Sequence, residues 1–181
     1  SKSFLCYDKQ ANLLILKGRA RMRAVLQRAL EARVDILNEE TKEILDSRAV
    51  GHGLMVLLGV MDGDTEGHAR LMARKTCEMR IFEDDQGKLN RSLLDIGGEM
   101  LVVSNFTLGA DCKKGTRPSF SDAAAPSAAV PLYELFVEEC RKLGVSVVKT
   151  GEFGADMKVS LVNDGPVTII LDSDRLTQPK N

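Results

Sequence analysis

The sequence predicts a sheet-rich α+β domain, with mostly antiparallel strands and two main covering helices. Three observations carry that prediction. Short runs rich in Val, Ile and Leu recur along the chain between Gly, Pro, Asn and Asp, which is the punctuation of strands that turn back on one another. Two stretches, 65–78 and 129–143, keep apolar residues at helical spacing. Near the end, Val162-Asn163-Asp164-Gly165-Pro166-Val167-Thr168 sets a Gly-Pro step between two strand-like runs. A chain of 181 residues suits one domain that buries its own core. Residues 22–172 read as that domain. Residues 1–21 read as an N-terminal extension or an expression remnant, and 173–181 as a polar tail expected to be mobile.

Residues 22–29 read as a first strand, with Ala24, Leu26 and Arg28 on one side and Val25 and Gln27 on the other. Residues 33–37 read as a second short strand, followed by a polar surface insertion at 38–41. Residues 53–60 are almost continuously apolar, as in a buried central strand, and lead through Asp62-Gly63-Asp64-Thr65 to a helix cap. In the helix 65–78, Ala69, Met72, Ala73 and Thr76 share a face while Arg70, Arg74 and Lys75 face water. Residues 79–82 and 88–94 read as a hairpin around Asp84-Asp85-Gln86-Gly87. Residues 100–103 make another buried strand, running into Ser104-Asn105-Phe106-Thr107-Leu108. A small-residue linker, 123–129, precedes the second helix, where Ala129, Leu132, Tyr133, Phe136, Val137, Cys140 and Leu143 form the apolar face. Pro131 is expected in its first turn and Gly144 at its stop. Residues 145–148, 157–162 and 167–171 complete the sheet.

Composition removes several classes of function. With net charge −1 and a sequence pI near 6.2, no global basic field marks the chain for nucleic acid, so any RNA contact must be local. The one compact basic loop, Lys113-Lys114-Gly115-Thr116-Arg117-Pro118, is either solvated or an anchor for the phosphates of an RNA end. Cys6, Cys77, Cys112 and Cys140 are scattered without CxxC or metal-like spacing and read as free thiols of a reducing compartment. No HExxH, P-loop or GxGxxG opening a helix is present, so no metal and no cofactor is expected. His52, in a Gly-His-Gly turn, and His68, in the first helix, read as structural, leaving no base for a Ser-His-Asp or Cys-His relay. No apolar run approaches the roughly 20 residues of a membrane span, and residues 1–21 do not form a secretory signal. A soluble, cytoplasmic protein without membrane contact is expected.

Gly165 has no Cβ to keep another group from its backbone, and Pro166 donates no hydrogen bond, so carbonyls nearby are free to meet a ligand. The plain alternative is a tight turn at the end of a core strand. Ser104, Asn105, Phe106 and Thr107 stand where a buried strand emerges, which holds amides and hydroxyls rigidly. These residues, with Met22-Arg23-Ala24-Val25-Leu26-Gln27-Arg28, Met79-Arg80-Ile81-Phe82-Glu83-Asp84, Arg117-Pro118-Ser119-Phe120 and Gly154-Ala155-Asp156-Met157, closely resemble the D-aminoacyl-tRNA deacylase family in the same order, from residue 22 to about residue 172.

The resemblance implies a barrel-like sheet and a homodimer that hydrolyses the ester between a D-amino acid, or glycine, and the 3′ end of tRNA, as translational proofreading. That ester is labile, so positioning and a few backbone donors suffice. The resemblance also implies that the substrate's own ribose hydroxyl orients the attacking water. Gly165-Pro166, as a cis element inserted from the partner subunit, would select chirality, Arg28 would hold that element, and Phe106, Phe153 and Met157 would lie near the pocket or in plain core. Thr107 would position or support, or simply cap a turn. Asn105 stands where the family usually has Gln, and its backbone amide, not its side chain, is expected to make the contact. A non-catalytic nucleic-acid-binding or regulatory module on the same fold is the alternative.

Overall fold

The structure, a computed structural model, describes residues 21–178; Cys6 and the rest of segment 1–20, with residues 179–181, lie outside the described residues. β1 (Arg23–Leu37) is the strand on which the sheet assembles. β2 (Ile44–Val50) and β3 (Gly53–Gly59) run antiparallel along one side of it, against its second and first halves. The long β8 (Asp156–Asp172) runs antiparallel along the whole of the other side. β1 is therefore one strand where two, 22–29 and 33–37, were expected. Leu30 and Glu31 are both exposed, which breaks the alternation like a strand end, but the register shifts there and pairing with β8 resumes. β2 was not legible: Ile-Leu-Asp-Ser-Arg-Ala-Val is mostly exposed, and only its partner makes it a strand.

β6 (Glu99–Ser104) joins β3, and β7 (Val148–Thr150) joins β6, both in parallel. The sheet is thus mostly antiparallel, as expected, with two parallel pairings at the β6 side that the sequence did not show. Parallel neighbours need a long crossover, and the two helices supply it: α1 (Glu66–Glu78) between β3 and β6, and α2 (Pro126–Lys142) between β6 and β7. The hairpin of β4 (Phe82–Glu83) and β5 (Leu89–Arg91) turns through Gly87, as read from sequence, but forms a separate two-stranded sheet with shorter strands.

Both helices cover one face of the sheet. Met72, Ala73 and Cys77 of α1 and Phe136, Val137 and Cys140 of α2 pack with Leu26, Val56, Leu58 and Met100. The Tyr133 hydroxyl, buried with them, donates to the Val102 carbonyl at 2.8 Å. α2 begins at Pro126, so Pro131 lies inside the helix and not in its first turn; the small residues before it complete that turn. Gly144, at φ +115°, ends the helix as expected. The expected polar tail instead starts with α3 (Ser173–Thr177), where Asp172 caps the Asp174 N–H at 3.0 Å and Ser173 donates its own N–H to the Met22 carbonyl.

The other face curls on itself around Val34, Met55, Leu101 and Val103 until the sheet is nearly a barrel. Arg48 of β2 draws the margins together, donating to the carbonyls of Thr150 (2.8 Å) and Gly151 (3.2 Å). Among the described residues no helix is long and apolar enough to cross a membrane.

Gly53 shows how tight the parallel seam is, since a Cβ there would lie 1.9 Å from the Glu99 carbonyl oxygen. Backbone on both sides leaves no flexible atom to yield. Gly53→Ala is expected to cost at least about 3 kcal/mol of stability. Gly63→Ala, at φ +83° with nothing within 4 Å of the added methyl, should cost only about 1–2 kcal/mol. Urea unfolding of both variants checks this, and equal losses would contradict it.

Candidate active site

β6 leaves the core at Ser104, and the chain then folds into a 3-10 helix (Phe106–Gly109). Asn105 is the cause. Its Oδ1 accepts the Thr107 N–H at 3.2 Å and the Thr107 hydroxyl, closing the turn on itself. Its own N–H donates to the Leu58 carbonyl of β3 at 2.8 Å, and its carbonyl accepts from Leu108. This corrects the expectation that the Asn105 amide would face a substrate, because that amide is committed to the fold. The Phe106 N–H, one residue on, has no acceptor among the described residues. Phe106 is 56% exposed, and its ring packs edge to face on Phe120 at 5.2 Å. Arg23 holds the far end of the turn, donating from Nη1 to the Leu108 carbonyl (2.9 Å) and from Nε to Asp172 (3.2 Å).

At Gly165-Pro166 the chain does not reverse. Between the pairs Gln27–Thr168 and Ala29–Asn163, β8 places four residues where β1 places one, so the element bulges from a strand that continues through it. Asn163 ties the base of the bulge: Oδ1 accepts the Val167 N–H and Nδ2 donates to the Thr168 hydroxyl, both at 2.9 Å. Gly165 has φ +130°, open to glycine, and the Gly165-Pro166 peptide bond is cis. Arg28 underlies it, only 5% exposed. Its Nε donates to the Asp164 carbonyl at 3.1 Å and faces the Asp164 carboxylate at 3.2 Å. Its Nη1 donates to the Ile81 carbonyl at 3.0 Å, so one guanidinium takes two backbone carbonyls from different elements.

Met157 reaches the β6 side of the molecule, where its sulfur and Val103 both flank Gly151. Phe153 packs edge to face on Tyr133 at 6.4 Å, partly in the core. Gly165-Pro166 stands apart from the turn in the same chain. Along the sheet, four residues of strand and three strand spacings separate them, roughly 20 Å. Neither histidine bonds a hydroxyl of the turn: His52 lies edge to face on Phe82, and the buried His68 accepts the Thr65 N–H at the start of α1. Among the described residues no three His, Cys, Asp or Glu side chains converge as metal ligands. Chemically, the described residues offer an amide without an acceptor in an exposed turn residue and a backbone wedge braced by Arg28, and among them no histidine bonds a hydroxyl of the turn.

A family model described as D-Tyr-tRNA(Tyr) deacylase matches residues 25–172. A D-aminoacyl-tRNA deacylase of Roseiflexus sp. (strain RS-1) is 56% identical over 160 residues, 88% of this chain and 99% of that one. The chain belongs to the D-aminoacyl-tRNA deacylase family. Another deacylase of that name, from Thermus aquaticus, is 53% identical over 152 residues, 84% of this chain and 95% of that one. The solved structure described as c-Myc DNA Unwinding Element Binding Protein is 40% identical, covering 82% of this chain and 97% of that one with a TM-score of 0.73. One described as a probable eukaryotic D-amino acid tRNA deacylase, 19% identical, covers 84% of this chain and 99% of that one and shares the fold with a TM-score of 0.70.

Sequence reasoning missed three parts of this deacylase's site region. Arg23 and Asp172 join only across β1 and β8, and Asp64 looks like any turn aspartate until its surroundings are known. Arg21, Arg23, Asp62, Asp111, Lys113 and Asp122 line a cavity of about 470 Å³ beside the 3-10 turn. Asp64 fixes its wall, with its carboxylate accepting the N–H groups of Met22 (3.0 Å) and Met61 (2.6 Å). Burial pushes the Asp64 carboxyl up to about 7, outweighing those two donors. The folded state therefore keeps a proton that the unfolded chain, titrating near 4, releases. This contribution to stability is full below about pH 4 and is lost as pH rises through about 7, at up to about 1.4 kcal/mol per pH unit. Asp64→Asn is expected to flatten that decline between about pH 4 and 7, read from urea unfolding at several pH values. Parallel profiles for the variant and the wild type would refute it.

Proposed function

We propose that this deacylase hydrolyses the ester joining a D-amino acid, or glycine, to the terminal adenosine of tRNA, releasing both, and that it does so in the cytoplasm as a homodimer. Each partner's Gly165-Pro166 bulge completes the pocket at the other chain's Ser104–Thr107 turn. The observation that carries this reading is the bulge itself: exposed, braced by the buried Arg28, and remote from the turn of its own chain. A wedge held that firmly serves a neighbouring chain better than its own.

The Phe106 N–H is the donor aimed at the ester carbonyl oxygen as negative charge develops on it. Asn105 and Thr107 hold that amide in place through their mutual hydrogen bonds, so Thr107 positions and does not attack. Water is the nucleophile, oriented by the substrate's ribose hydroxyl. Ser104 and Met157 shape the pocket, with Phe153 behind them. Backbone carbonyls around Gly165 press on the Cα of the amino acid and leave room for hydrogen only. A D-residue presents hydrogen there, glycine does so on either side, and an L-residue presents its side chain.

The 40% identity to a DNA unwinding element binding protein supports a second reading, a nucleic-acid-binding module without turnover. Following ester loss from D-tyrosyl-tRNA separates the two, since a binding module would not exceed the spontaneous rate. Wild type is expected to cleave D-tyrosyl- and glycyl-tRNA and spare L-alanyl-tRNA, although L-alanine is one methyl larger than glycine. An apolar pocket would grade such a difference at about 1–3 kcal/mol. Comparable cleavage of L-alanyl-tRNA would overturn backbone selection.

Two variants probe the geometry. A Cβ on Gly165 would lie 2.9 Å from Val167 Cγ2 and 3.3 Å from the Arg28 guanidinium, on a backbone suited to glycine. Gly165→Ala should therefore displace the wedge and lower turnover by roughly 100-fold. Thr107→Ala removes one exposed hydrogen bond and should retain activity within about tenfold. Light scattering is expected to give twice the 19.8 kDa protomer mass. A monomer at assay concentration would refute the composite site.

A further inference from the structure

We propose that the loop between Asp111 and Ser119, together with the Phe106–Phe120 pair, seats the single-stranded 3′ end of the RNA; this rests on the deacylase reading above. The ring pair stacks a base next to the reacting nucleoside, and Lys113, Lys114 and Arg117 hold the phosphates that lead away from it.

The loop is built as a fixed excursion. Asp111 and Ser119 exchange N–H and carbonyl at 2.8 and 2.9 Å across its neck, and the Asp111 carboxylate accepts the Lys113 N–H at 2.9 Å. Gly115 turns the tip at φ +67°. All of 111–120 is exposed, and among the described residues none of the three cations has a carboxylate partner. The neighbouring arginines differ. Arg21 is committed to Asp174, and Arg23 to Asp172 and the Leu108 carbonyl. Asp62 and Asp122 line the cavity beside Lys113, so an anion is kept to the rim and the outer side of the loop.

Charge alone would suit any polyanion; the rings narrow the choice. Phe120 follows the neck directly and meets Phe106, whose amide has no acceptor among the described residues, and the two are 37% and 56% exposed. Open aromatic faces beside a cationic track are the chemistry of single-stranded nucleic acid, whose unpaired bases stack while the phosphates follow the charges. A duplex keeps its bases inside and would use the cations only. The rings are contiguous with the turn, and the cations lie beyond them. The terminal nucleoside therefore sits at the turn and the strand runs out over the loop.

Three phosphate contacts to a single strand predict a slope of about −2 for log(kcat/KM) against log salt. The test compares D-tyrosyl-tRNA with D-tyrosyl-adenosine, which carries the same ester without phosphates. In the Lys113→Ala/Lys114→Ala/Arg117→Ala variant, the loss on the tRNA should exceed that on the nucleoside by about tenfold, with the salt slope moving toward zero. Phe120→Leu should lower kcat/KM on the tRNA while keeping the slope. Equal losses on both substrates, or an unchanged slope in the triple variant, would overturn the proposal. If wild type cleaves neither ester, the deacylase reading fails, and the seat is then judged by binding. Fluorescence anisotropy would compare an RNA minihelix ending in single-stranded ACCA with the same duplex blunt-ended. Preference for the ACCA end that is lost in the triple variant supports the seat; equal binding of the two by wild type overturns it.

Discussion

The buried guanidinium of Arg28 is the constraint to which the rest of this structure answers. A cation removed from water must be met by acceptors, and leaving one unpaired costs about 3–5 kcal/mol. Arg28 meets the Asp164 carbonyl, the Asp164 carboxylate and the Ile81 carbonyl, with Glu83 3.7 Å away. Satisfying the charge thus draws the β8 bulge and the approach to the β4–β5 hairpin onto the middle of β1. The bulge that carries Gly165-Pro166 is rigid because an arginine beneath it has nowhere else to place its charge.

The same logic, with weaker partners, builds the turn at residues 104–108. The Asn105 side chain is short and bonds within its own turn, where it accepts from the Thr107 amide and hydroxyl. With the Asn105 N–H spent on β3 and the Leu108 carbonyl held by Arg23, the amide of Phe106 is left without an acceptor among the described residues. A donor left unpaired where a core strand reaches the surface is held by neighbours that are all satisfied, so it need not reorganise when charge develops near it.

These two rigid pieces divide the labour of the proposed reaction. The turn offers an electrostatic donor, and the bulge offers shape. Because selection would rest on backbone and not on a fitted side-chain pocket, one site can accept chemically different D-side chains while rejecting the smallest L-side chain. Placing shape and donor on opposite parts of one chain would make a second copy part of the reaction.

From the sequence by itself came the class of the domain, both covering helices, the buried strands β3 and β6, the turn residues Gly87 and Gly144, and, through resemblance, the family. These depend on local periodicity and local backbone preference, which composition displays directly. The partners of Arg28 were half legible: that it would hold the Gly165-Pro166 element was expected from the resemblance, but not that Ile81 would also bind it. Only the tertiary structure decided that β1 continues through Leu30 and Glu31, that the polar segment Ile44–Val50 is a strand, that Gly165-Pro166 bulges without reversing the chain, and that Asp172 meets Arg23. Each of these is a pairing between residues far apart in sequence, and a hydrogen bond or ion pair across such a distance leaves no periodic mark on either partner.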